Sequence, residues 1–366
     1  MTDTPKQPKS PQKSGAAKKV ALVALFALVA YLAFYPVPVD PVAWNPPPAP
    51  GFVGDFAPSV DLSQQERLLP NVVGAEALTF DPQGRLVTGL LDGSILRLEA
   101  NGTATTLVNT QGRPLGMVHA PDGTLYVADA RRGLIAVSPT HEVRELVRTH
   151  EGRAMAFVDD VDRLPDGRLV FTDASDRFGL DEWKIDLIEH RARGRVFAYD
   201  PATGTTTLLA DQLFFANGIA AAADGSFALV CETGAYRVQR IELTGPRAGQ
   251  HAPIIENLPG FCDNIRRSQD GQSFYVALPS PRDPILDGTA SMPWLRRVIL
   301  RLPAAVQPAP KEYTSFVRID AAGRVLQVGH ATHDGSFGPA TTAIDHDGAL
   351  YFGSLSARGV ARVRAQ

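Results

Sequence analysis

The chain has 366 residues, 44% of them hydrophobic, and a formal charge of −3. This is a globular composition, long enough for one large all-β domain or two ordinary ones, and it excludes a disordered polymer. Arg and Lys are dispersed through an acidic body, which argues against nucleic acid as a partner.

Residues 1–19 carry Lys6, Lys9, Lys13, Lys18 and Lys19 against Asp3, with Pro, Gln, Ser and Gly between them. Such a stretch has no apolar periodicity and reads as a solvated basic tail. Residues 20–35 follow without a single charge. As a helix they span roughly 24 Å, close to a ~30 Å hydrocarbon core, and leave no polar face for a core helix. The run ends in Phe34-Tyr35-Pro36 with no small-x-small cleavage site, which favours an uncleaved signal anchor over a signal peptide. The lysines then stay cytoplasmic and the body lies on the exported side.

Residues 36–50 hold prolines at 36, 38, 41, 46, 47, 48 and 50, the pattern of a stiff extended stalk, so the folded domain, residues 51–366, is expected to begin near Gly51. Cys231 and Cys262 have no metal-site spacing and read as buried small hydrophobes, a disulfide being the alternative.

From residue 84 onward a repeat appears. Turns ending in glycine recur at Gly84, Gly123, Gly167, Gly225, Gly271 and Gly348, each followed by an apolar, β-rich segment such as Arg168-Leu-Val-Phe or Ala349-Leu-Tyr-Phe. Six turns opening six four-stranded sheets make an all-β, six-bladed β-propeller. Eight residues before each turn glycine stand Glu76, Leu115, Asp159, Asn217, Asp263 and Ala340. Equivalent positions on innermost strands form a ring around the channel. Acids and amides are also common where strands begin, but here they share one register, and carboxylates crowded in a ring need a cation to stay ionised. Oxygen ligands without His or Cys suit Ca²⁺, with Mg²⁺, Mn²⁺ or Zn²⁺ as substitutes. Asp160 and Asn264 come next in sequence and are placed to support the ring or to face a substrate.

Ordered motifs run from about Leu62 to the C-terminus: Gly74-Ala-Glu76, Gly112-Arg-Pro-Leu-Gly116, Tyr126-Val-Ala-Asp, Phe157-Val-Asp-Asp, Phe171-Thr-Asp, Phe215-Ala-Asn-Gly, Gly260-Phe-Cys-Asp-Asn and His346-Asp-Gly. Together they resemble the strictosidine synthase-like branch of the gluconolactonase and senescence-marker-protein superfamily. The resemblance implies metal ligands at Glu76, Asn217 and Asp263, with Asp159 where the family has Asn. Three departures narrow the activity. Phe157 stands where sugar lactonases resemble one another in having Arg, and Leu115 where paraoxonase-like members have a channel His. Asp345 replaces the catalytic Glu of the alkaloid synthase, which argues against alkaloid condensation.

The resulting expectation is an ester or lactone hydrolase in which the cation polarises a carbonyl and Asp160 or Asp345 activates water. The alternative is a non-catalytic scaffold or binding protein whose cation only staples the blades. No Gly-x-Ser-x-Gly elbow or phosphate loop occurs, and His330 and His333 read as solvated residues of a Gly-rich loop. Insertions at 176–193, with Trp183 and Leu187 on one helical face, and at 279–297, with Met292 and Trp294, are expected to cap one face of the propeller or pack on its rim.

Overall fold

The computed structural model describes residues 14–332 and 337–364. Lys6, Lys9, Lys13 and His333 lie outside the described residues. Ser14–Phe34 is one helix, and its stretch Ala17–Phe34 is long and apolar enough to cross a membrane. It begins before the uncharged run and takes in Lys18 and Lys19. It stops ahead of Pro36, because proline disfavours helical geometry in the residue before it.

Six four-stranded sheets follow. Their innermost strands are Leu78–Phe80, Pro114–His119, Val158–Arg163, Ala216–Ala221, Ile265–Arg267 and Thr342–His346, defining blades one to six. The six turn glycines take φ between +71° and +95°, a region that costs glycine nothing. The sixth blade is closed by Glu66–Val73, which pairs with Arg358–Arg364 and ties the start of the domain to its end. That outer seam carries an ion pair between Arg362 and Glu66.

Blades pack face to face through apolar layers. Val170, Val196, Ile219 and Val230, all fully buried, join the third blade to the fourth. Near the axis the backbones come closer still. A Cβ on Gly116 would fall 2.2 Å from Asp160 Oδ1, so only glycine lets the second blade meet the third there.

Each first-to-second hairpin lies at one end of the barrel-like channel. The second strand therefore returns to the end where the first began, and both insertions emerge at that end, beside the ring positions. Their helices are Trp183–Glu189, and Pro284–Gly288 with Pro293–Arg301.

Residues 36–50 are extended, but they are not a free stalk. They form a strap across the two insertions: Val42 N donates to Glu189 O (3.0 Å), Trp44 N to Ala290 O (3.1 Å), and Arg282 Nη2 to Pro47 O (2.6 Å). Asp40 is paired with Arg191 and Arg297. Residues 36–50 thus pack against the domain expected to begin near Gly51, with Val42 and Trp44 donating to the insertions and Arg177, Arg191 and Arg282 donating back to the strap's carbonyls. The chain then runs down the fifth blade, where Phe52 stacks on His330 at 3.8 Å and Val60 bridges to Gly329. His330 is accordingly a strand residue of Val325–Thr332 whose Nδ1 lies 2.7 Å from Ser315 Oγ, not a solvated loop histidine. Cys231 and Cys262 are free and buried.

Candidate metal and substrate site

Glu76, Asp159 and Asn217 are buried and Asp263 is partly exposed; each precedes or opens an innermost strand, of the first, third, fourth and fifth blades. The second blade contributes Leu115 and the sixth Ala340, both buried, at the same register. Burial pushes the Asp159 carboxyl well above its ordinary value, and the charges of Asp263 and Glu76 push it further. Burial and then Glu76 do the same to Asp263, with Asn217 beside it easing the shift. Glu76 is pushed up to about 7 by burial, against the pull of Arg113. Three carboxylates from three blades therefore share one electrostatic environment.

Their partners differ. Arg113, 1% exposed, donates from Nη2 to Glu76 Oε2 (3.1 Å) and from Nη1 to Gly74 O (2.8 Å). No hydrogen bond to the Asp159 carboxylate is seen among the described residues, and Asn217 Oδ1 is buried without a donor. A buried amide oxygen left without a donor costs free energy unless something else takes it, and a cation is such a partner. Among the described residues, no three His, Cys, Asp or Glu side chains are close enough to form a ready-made metal cluster. Glu76 is already engaged by Arg113. The chemistry of the donors fits an oxygen-liganded divalent ion, with Asp159, Asn217 and Asp263 the freer members of the set.

The two acids expected to activate water are placed otherwise. Asp160 is fully buried and accepts from Ile219 N (2.8 Å), Val161 N (2.9 Å) and both terminal nitrogens of Arg266, one at 2.9 Å. Burial alone would lower Arg266, but Asp160 lifts it above its ordinary value. Asp160 is a tie between the third, fourth and fifth blades, with its lone pairs spent. Asp345 stands five residues beyond Ala340, ~16 Å along an extended strand, at the turn end of the channel. There its oxygens accept from Ser268 Oγ (2.6 Å) and Gln269 N (2.9 Å). Neither acid joins the ring. Asn264 adjoins the Asp160–Arg266 pair, with its Oδ1 3.4 Å from Arg266 Nη2.

The wall beside the ring is apolar. Leu115, Phe157 and Phe215 are buried together, the two rings edge-on at 5.5 Å, and Leu180, Trp183 and Leu187 of the first insertion pack on them. The helical face expected of Trp183 and Leu187 thus covers the ring end of the channel. Sequence reasoning missed Arg113 as a ring residue. It stands inside the Gly112-Arg-Pro-Leu-Gly116 motif, and its placement depends on Asp129, whose Oδ1 accepts from Arg113 N at 2.9 Å.

Comparison with known proteins agrees with this architecture. The description "Strictosidine synthase" matches residues 159–246 and "Strictosidine synthase-like, N-terminal" matches residues 54–98. Adipocyte plasma membrane-associated protein of Salmo salar is 34% identical over 87% of this chain and 82% of its own. The human protein of that name is 32% identical over 90% and 84%. Protein STRICTOSIDINE SYNTHASE-LIKE 13 of Arabidopsis thaliana is 36% identical over 70% and 72%. Among solved structures, a Xanthomonas campestris gluconolactonase matches with TM-score 0.61 at 15% identity, over 90% of this chain and 98% of that one. A calcium-binding regucalcin from Agrobacterium tumefaciens matches with TM-score 0.55 at 15% identity, over 82% and 93%. These distant structures share the propeller fold, and the nearer relatives place the sequence: the chain belongs to the strictosidine synthase-like family that includes the adipocyte plasma membrane-associated proteins.

Proposed function

We propose that this is a membrane-anchored hydrolase of small carboxylic esters or lactones that depends on a divalent cation held by Glu76, Asp159, Asn217 and Asp263. The observation that carries the reading is the unbalanced ring: at Asp159 burial and the charges of Asp263, Glu76 and Asp160 outweigh the pull of Arg266, next to an amide oxygen with no donor. An all-oxygen set suits Ca²⁺, with Mg²⁺, Mn²⁺ or Zn²⁺ as substitutes. The names of structural neighbours support it, since one is called a calcium-binding protein and another a gluconolactonase. What a cation supplies in such a site is stabilisation of the charge that develops on a carbonyl oxygen.

The chain's own residues then have distinct tasks. Leu115, Phe157 and Phe215 line an apolar wall that takes the acyl or aryl part of a substrate and keeps water away. Arg113 fixes Glu76. Asp159, with no hydrogen-bond donor on it and its carboxyl raised by burial and by the charges of Asp263 and Glu76, takes the proton of the attacking water. The apolar helix with its basic flank anchors the chain, lysines on the cytoplasmic side and propeller on the exported side. The name of the adipocyte plasma membrane-associated relatives supports that anchoring.

Asp159→Asn is the informative variant, because it keeps a ligand oxygen and removes the base. In metal-loaded protein it should lower turnover of an aryl ester or lactone by about 10²- to 10⁴-fold while the melting temperature and bound metal are kept. Full activity in that variant would place the base elsewhere. No turnover by metal-loaded wild type across a broad panel would favour a non-catalytic scaffold.

A further inference from the structure

The anchor helix and the second insertion are joined directly. Tyr31 Oη donates to Arg301 O (3.1 Å), and the Arg301 side chain donates back to Tyr35 O (2.6 Å) and Leu32 O (2.8 Å). Those carbonyls belong to the last turn of the helix or immediately follow it, so its unpaired C-terminal acceptors are capped by a guanidinium from the propeller's own insertion. The stretch Ala17–Phe34 has 18 residues. At ~1.5 Å per residue it covers about 27 Å, which consumes nearly all of itself in crossing a ~30 Å hydrocarbon core. No spacer is left between the bilayer and Arg301. The strap that could have served as one is folded back across the insertions instead.

The same insertion presents large apolar side chains to the outside. Trp294 is 62% exposed, Ile285 53% and Val306 63%, while the opposite face of Pro293–Arg301 buries Arg296 and Ile299. Trp294 shares its helical stripe with Arg297 and Arg301. An exposed tryptophan on such a stripe suits a membrane–water boundary, where the indole sits among headgroups, while Arg297 is held by Asp40 and Arg301 by the anchor helix. Phe34 and Tyr35, 82% and 54% exposed, continue that apolar surface into the anchor.

We infer that residues 284–306 form a foot that rests in the headgroup layer of the bilayer crossed by Ala17–Phe34, so that the ring end of the propeller is held facing the membrane. The inference rests on the reading of that helix as a membrane span. It adds a second lipid contact and fixes the orientation of the channel, which an anchor on a free stalk would leave undetermined.

The test uses the full chain in phosphatidylcholine nanodiscs, with ordinary lipid or lipid brominated just below the headgroup. The chain has 3 tryptophans, and Trp44 and Trp183 are half-buried. Brominated lipid should quench part of the wild-type emission, and that loss should vanish in Trp294→Ala, whose exposed site tolerates truncation. Equal emission in both lipids, with the chain still incorporated, would overturn the foot and leave the anchor intact. Quenching that persists unchanged in Trp294→Ala would also overturn it. A chain recovered free of nanodiscs would defeat the anchor reading and the foot together.

Discussion

Asp160 shows how one side chain is reassigned once its neighbours are known. Its carboxylate receives two backbone amides and a two-pronged guanidinium while fully buried, so its removal would strand Arg266 without a counter-charge in the interior. Breaking such a pair from one side costs about 3–5 kcal/mol. Asp160→Ala should therefore lose stability on that scale in urea unfolding, and Asp160→Ala with Arg266→Met should recover part of it. Asp160→Asn that keeps wild-type stability but loses hydrolysis would return the residue to catalysis. The sequence places Asp160 one residue past a ring position. What it could not show is which donors reach the carboxylate, because Ile219 and Arg266 are 59 and 106 residues away. Asp159 and Asn217 were legible for the opposite reason, since their place follows from the blade period alone.

The strap is where an element's composition misled. Seven prolines do give an extended segment, as read, but extension says nothing about docking. Trp44 stacks on His190 at 4.1 Å, and His190 on Phe214 at 4.5 Å, so the strap reaches the loop that opens the fourth blade. Burial, then Arg296 and Arg237, push His190 down to about 3. Complete burial of a tryptophan is worth about 3–5 kcal/mol on truncation. Trp44 is half-buried, so Trp44→Ala should cost roughly 2 kcal/mol, where a free stalk would lose nothing. His190 adds a pH signature. Its folded pKa lies below its unfolded value of 6.5, so its contribution is complete above pH 6.5 and lost as pH falls toward 3. Stability measured against His190→Phe should therefore show a wild-type deficit that grows from pH 6.5 downward. A constant difference across that window would mean that His190 is not held neutral in the stack. Repeat, blade number and capping insertions were legible because they rest on local turn chemistry and helical period. The strap's contacts were not, since they join residues 36–50 to segments more than a hundred residues later.

At the scale of the whole molecule, the ring is where blades far apart in sequence must agree. Closure by Glu66–Val73 fixes the perimeter, but at the axis the first, third and fifth blades each bring a carboxylate toward the others. Without a cation the ring relieves this repulsion by keeping protons. Glu76, lifted to about 7 from an ordinary 4.5, holds its proton in the folded chain where the unfolded chain has released it. The stability this contributes is present at low pH and is lost as pH rises from about 4.5 through 7. A divalent ion takes the place of those protons, so it competes poorly at pH 5.5 and well at pH 8. In chelator, the melting temperature should fall as pH rises across this window. With calcium added, the increment over chelator should be small at pH 5.5 and larger at pH 8, by an amount set by ligand concentration over affinity. Asp263→Asn should shrink that increment at pH 8 and also soften the chelator-dependent fall, because it removes one of the repelling charges. Thermal melts of the four combinations, wild type and variant with and without metal, separate the two effects. An increment that is absent at both pH values, or equal at both, would mean that no cation replaces protons in the ring and that the blades meet at the axis through Arg113 and Arg266 alone.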